Sequence, residues 1–216
     1  RPHFRLKDVL VLMIPKQLDR ILSRVEKPGR YTGGEPGAVY KEKAPGLIRY
    51  AFCFPDVYEV GMSHLGLKIL YDVLNRRPDT VAERVYAPWP DMEAEMRGGG
   101  IPLYTLESFR PVADFDVVGF TLQYELSYTN ILNMLDLAGI PLLAAERDDR
   151  HPLVIAGGPC AFNAEPLADF IDFFMLGESE EAVDEVAAAL TTWKTAGRPG
   201  GRRGFLARAA AIPGVY

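Results

Sequence analysis

The chain has 216 residues, 24 Lys+Arg against 29 Asp+Glu, a net charge of −5, 48% hydrophobic residues and two cysteines. This suits a folded domain with a sizeable core and excludes wholesale disorder. It also excludes a disulfide framework, a four-cysteine zinc site and a three-cysteine cluster motif, and no 18-residue apolar run offers a membrane helix.

No signal-peptide pattern opens the chain, so a cytoplasmic location is expected. The acidity argues against nucleic acid as the main partner. Charge is uneven along the chain. Residues 1–46 hold 10 Lys+Arg and 5 Asp+Glu, residues 47–197 hold 10 and 24, and residues 198–216 hold 4 and none. This predicts three parts: a basic helical and loop extension (1–46), an acidic α/β domain (47–197) and a basic linker (198–216).

In the extension, apolar residues at Leu6, Val9, Leu10 and Met13, then at Leu18, Ile21, Leu22 and Val25, are spaced for helices, with Pro15 between them. The run from Pro28 to Gly37 reads as a turn-rich loop. The domain then alternates strand and helix. Strands are predicted at Leu47–Phe54, Val81–Tyr86, Val117–Thr121, Leu153–Ala156 and Phe173–Leu176. Helices are predicted at Leu65–Asn75, Pro90–Arg97, Ser127–Leu137 and Ser179–Ala196, the last with Ser179 as N-cap. Tyr104–Leu106 adds a short extended piece. Gly197–Gly204, rich in Gly, Arg and Pro, reads as a linker. The abrupt end at Tyr216 suggests part of a longer protein.

Five strands, apolar on both faces and separated by helices, predict a parallel sheet covered on both sides. The expected fold is a flavodoxin-like, Rossmann-like doubly wound sheet of order 2-1-3-4-5. Ligands of such sheets bind beyond the carboxyl ends of the strands. Five loops meet there: Pro55–His64, Ala87–Pro90, Leu122–Leu126, Gly157–Asn163 and Gly177–Glu180. The first is long for its type, and its His64 has two readings, a cap on the next helix or a ligand contact. Gly157-Gly158-Pro159 allows a close backbone approach. The acidic Gly177-Glu178-Ser179-Glu180-Glu181 turn repels a phosphate. Thr121, Gln123, Tyr124 and Glu125, with Met62, Tyr86 and Trp89, predict a half-apolar cleft suited to a large flat organic ligand. No dinucleotide fingerprint, P-loop or nucleophile elbow is present. A receiver domain would need a Lys after the fifth strand, and none follows it. Cys53 and Cys160 are expected too far apart for a disulfide, with the third strand between them.

Several runs carry a resemblance. They are Arg30-Tyr31-Thr32-Gly33-Gly34-Glu35, the stretch from Phe54 to Gly66, Ala87-Pro88-Trp89-Pro90-Asp91-Met92-Glu93, the stretch from Gln123 to Asn130, and that from Ile155 to Pro166. Over residues 20–190 the chain resembles the N-terminal part of a family of uncharacterised cobalamin-binding radical S-adenosylmethionine proteins. The resemblance implies that this domain holds cobalamin on the strand-end face. It implies that a [4Fe–4S] cluster and S-adenosylmethionine belong to a barrel C-terminal to it, its intramolecular partner. The parent would then be a methyltransferase or another enzyme modifying RNA or a small molecule, and the fragment alone would not be catalytic. The implied cofactor contacts are Met62, Ser63, His64, Leu65, Trp89, Thr121, Gln123, Tyr124, Glu125, Gly157, Gly158, Pro159, Gly177 and Glu178. The Asp-x-His-x-x-Gly cobalt-ligand motif is broken. If Gly66 is its glycine, Gly61 and Ser63 stand in the Asp and His places, and His64, one residue off, is the cobalt-ligand candidate. The alternative reading is a cobalamin-type scaffold or interaction module that no longer binds cofactor.

Overall fold

Strands form at Ile48–Phe54 (β1), Thr80–Tyr86 (β2), Val117–Thr121 (β3), Leu153–Gly157 (β4) and Phe173–Met175 (β5). The computed structural model describes residues 15–41 and 46–216, and the expected helix over Leu6–Met13 lies outside them. All neighbouring strands pair in parallel, in the order β2-β1-β3-β4-β5. The doubly wound α/β sheet read from the sequence is therefore the one observed. Central residues such as Ala51, Cys53, Val117, Val118 and Val154 are wholly buried, as a sheet covered on both faces requires.

Helices α3 (Leu65–Arg76) and α6 (Ser179–Thr195) pack on each other and on β1. With this strand order, the right-handed rule for parallel crossovers puts α4 (Pro90–Gly99) and α5 (Tyr128–Leu137) on the opposite face. Arg97 of α4 joins that pair through Asp136 and Asn133 of α5.

Both sheet edges are covered, which removes the pairing hazard of an open edge. Along β2, Glu83 and Arg84 are buried although charged. Glu107 takes the Arg84 backbone N–H and its Nε, each at 2.7 Å. Burial pushes the Glu107 carboxyl above the usual range, with Arg84 pulling it back. Glu83 accepts from Thr105 and Ser108. Tyr104 forms only an isolated bridge to Pro111, less than the extended piece expected at Tyr104–Leu106. Along β5, the chain returns antiparallel, with Phe174 and Tyr216 exchanging backbone hydrogen bonds at 2.7 and 2.9 Å.

The basic N-terminal segment contributes to the core. Helix α1 (Lys16–Leu22) packs on α4, and Leu18, Ile21, Leu22, Val25 and Tyr31 are buried. Past it the chain straps across the sheet edge: Arg30 binds Glu59, Tyr58 donates to Glu35, and the Val39 N–H donates to Tyr71.

Three local expectations are corrected. The long Pro55–His64 loop contains a short helix, α2 (Tyr58–Ser63). Gly61 lets it lie against Tyr86, where a Cβ would fall 2.3 Å from the ring. Helix α6 starts at Ser179, so the capping position belongs to Glu178, whose side chain makes no cap hydrogen bond. The Gly197–Gly204 stretch read as linker runs into a packed helix, α7 (Gly201–Ala209). Its Phe205 sits 5.3 Å from Trp193 and 6.5 Å from Phe173, ring centre to centre. Its Arg202 is buried because Asp172 and the carbonyls of His151 and Pro152 receive the guanidinium. Composition marked these residues as polar, but pairing let the fold bury them.

Candidate functional site

A slot of about 240 Å³ opens at the carboxyl ends of β1, β3, β4 and β5, between α3 and α6. Phe52, Leu67, Leu70, Ile155, Met175 and Val183 form its apolar walls. Gly119 deepens its floor: a strand residue with no side chain leaves space between Phe52 and Ile155. Polar groups stand at the mouth: His64, Thr121, Gln123, Glu178 and Glu180. No Lys or Arg lines it.

Gly158 shapes one side of the slot. Its φ of +116° is reached easily only by glycine. A Cβ there would fall 2.8 Å from the Leu122 carbonyl oxygen and 3.2 Å from the Gln123 amide nitrogen. The β4 turn therefore presses directly against the loop after β3. Gly158→Ala is expected to cost about 1–3 kcal/mol in strain, seen as a lowered urea midpoint.

His64 performs the capping role that was one of its two readings. Its Nδ1 accepts the Leu67 N–H at 3.1 Å, closing the N-terminus of α3. Its ring packs on Phe54 with centroids 5.2 Å apart. With Nδ1 occupied, the neutral ring carries its proton on Nε2, which leaves that atom a donor with no lone pair. This geometry does not fit a cobalt ligand.

The structure brings together half of the residues proposed from the sequence. His64, Thr121, Gln123, Gly157, Gly158, Gly177 and Glu178 line the slot. Met62, Ser63, Leu65, Trp89, Tyr124, Glu125 and Pro159 do not. The Met62 sulfur takes the Tyr86 hydroxyl at 2.9 Å, so neither side chain lines the slot as the cleft reading expected. Ser63 bonds back to Val60. Trp89 lies beneath the Arg30 guanidinium at 5.4 Å. Tyr124 donates to Asp56 at 2.6 Å, and Glu125 opens a short 3-10 turn. Pro159 starts the 3-10 turn after β4. Leu65, at the start of α3, and Leu126 and Phe162, in the connections after β3 and β4, stand 67%, 87% and 75% exposed at this same edge. The slot walls missed in the sequence are core residues of strands and helices. The signal available was the glycine inside Val-Val-Gly-Phe-Thr.

Cys53 and Cys160 are free thiols, and burial pushes both above the usual thiol range. Among the described residues no cluster of His, Cys, Asp and Glu could hold a metal ion, and no helix is long and apolar enough to cross a membrane.

A family model described as radical SAM proteins, N-terminal, matches residues 66–216. The chain belongs to that family. This radical SAM N-terminal chain is also similar to an uncharacterized protein of Methanocaldococcus jannaschii, 27% identical over 132 residues. That stretch is 60% of this chain and 24% of the relative, so the chain spans about a quarter of the relative's length. No solved structure matches.

Proposed function

We propose that this radical SAM N-terminal domain binds cobalamin over the strand-end slot. The whole protein would be an iron–sulfur enzyme using S-adenosylmethionine, with the cluster and that substrate held elsewhere in it. The observation that carries the reading is the slot itself: a deep apolar cavity at the sheet edge where doubly wound folds bind ligands. Its residues suit the apolar and carboxamide parts of the cofactor, not its phosphodiester. The apolar walls suit a planar aromatic group. Glu178, Glu180 and the Gln123 carbonyl would accept from the carboxamides that fringe a corrin, and His64 Nε2–H would donate. When bound, cobalamin supplies a cobalt centre that can carry a methyl group. The exposed Leu65, Leu126 and Phe162 support a second part of the reading, that the S-adenosylmethionine-cleaving part of the protein seats on this edge.

Gel filtration of the chain with hydroxocobalamin tests the reading. Co-elution of the red chromophore is expected, and clean separation would favour a scaffold without cofactor. The His64→Ala variant adds a separate check on the axial position. It should lose about 1 kcal/mol of stability with the cap and leave the visible spectrum of the bound cobalamin unchanged. A spectral change would show that His64 reaches the cobalt.

A further inference from the structure

A second cavity, of about 420 Å³, lies at the other end of the sheet, where β1, β3 and β4 begin. Its floor is apolar, formed by Ile48, Phe115, Leu153, Leu190 and Trp193. Its rim carries four Lys and Arg side chains against three Asp. Two of those cations, Arg198 and Arg202, come from the basic C-terminal stretch, which the fold brings against an acidic domain.

Arg198 dominates the rim. It has a φ of +58°, and it and Phe109 are the two non-glycine residues with positive φ among those described. A left-handed arginine is strained backbone, of the kind found at ligand clamps. Here it follows the end of α6, where the Arg198 N–H donates to the Trp193 carbonyl at 2.9 Å. The turn brings the guanidinium over the Trp193 indole, 5.5 Å from its centroid. One Nη reaches Asp116 at 3.2 Å, a carboxylate that Lys194 also contacts through both oxygens at 2.8 Å. Asp116 therefore faces two cations, and Arg198 spends only one of its five N–H groups on it. An indole wall, an apolar floor and an arginine fork with donors to spare match a flat or apolar body bearing an oxyanion.

We propose that this cavity binds a compact organic oxyanion, a phosphate or carboxylate carried on a flat body, with Arg198 receiving the anion and Trp193 the body. The site is separate from the cobalamin slot and stands whether or not that slot binds cobalamin.

Trp193 reports on it directly. The chain has two tryptophans, so Trp89→Phe leaves Trp193 as the only indole. In that background, phenyl phosphate and benzoate are titrated against tryptophan emission, with benzyl alcohol as the uncharged control. Saturable quenching by one or both anions is expected, absent with the alcohol and weaker at high salt. A response confined to phenyl phosphate assigns a phosphate ester, and one confined to benzoate assigns a carboxylate. Arg198→Gly removes the guanidinium and relieves the left-handed strain, so it should fold at least as well while binding about tenfold more weakly. Arg198→Asn, which also tolerates that backbone, is the second variant should the glycine form fail to fold. Equal quenching by benzyl alcohol, no saturable quenching, or unchanged affinity in the folded Arg198 variants would overturn the proposal.

Discussion

Asp172→Asn is expected to lower stability by about 3–5 kcal/mol, a large share of the roughly 5–15 kcal/mol that holds an ordinary domain folded. The Asp172 side chain is buried just before β5 and holds two guanidiniums, Arg147 at 3.2 Å and Arg202. It also accepts the Val154 N–H at 2.6 Å. Burial already holds the Arg147 guanidinium below its ordinary range, against the pull of Asp172. The neutral amide keeps the volume but leaves two buried cations without a counter-charge. Much of the loss should appear at α7, because Arg202 is the polar tie between that helix and the sheet. Urea unfolding followed by circular dichroism measures the loss, and amide exchange locates it. A loss below about 1 kcal/mol, the range of an exposed pair, would mean that water reaches these guanidiniums and that the Asp172 pairing adds little to the docking of α7.

The second large effect is on ligand binding. Gly119→Leu should abolish or strongly weaken cobalamin binding while Gly119→Ala preserves it. A Cβ at this position would rest 3.5 Å from the Phe52 ring and 3.7 Å from Ile155, ordinary contact that alanine meets without strain. Leucine carries three further carbons into the same gap. A steric conflict with the ligand of the same size as an overpacked interior, about 1–3 kcal/mol, corresponds to about 5–150-fold in affinity. Visible titration of the two variants gives the comparison, with circular dichroism confirming that both are folded. A leucine variant that binds as tightly as the parent would place the ligand outside the slot.

The sheet was legible because parallel strands are apolar on both faces and end at marked places: Pro55 after β1, Gly157-Gly158 after β4, Gly177 after β5. Strand order was read by fitting five strands in βα alternation to the flavodoxin-like doubly wound pattern. The site was legible at its rim and not in its walls. His64, Gln123, Gly158 and Glu178 lie in loops whose position the topology determines. Phe52, Ile155 and Val183 read as core because a slot between two helices is lined by the same residues that would fill it. Met62 and Trp89 were drawn toward the cleft by their chemistry, but which side of the sheet edge a loop residue takes depends on its partners. For Met62 those are Tyr86 and Arg84, and for Trp89 they are Arg30 and Tyr31. Helix α7 was hidden for the same reason. Nothing near Arg202 in sequence announces Asp172, thirty residues earlier, as its partner.

Equilibrium dialysis of the 216-residue chain against hydroxocobalamin is the most direct measurement of the central claim. The slot geometry predicts saturable retention of one cobalamin per chain, lost when Gly119→Leu fills the cavity. Retention no greater than that of an unrelated protein, with the chain shown to be folded, would contradict it.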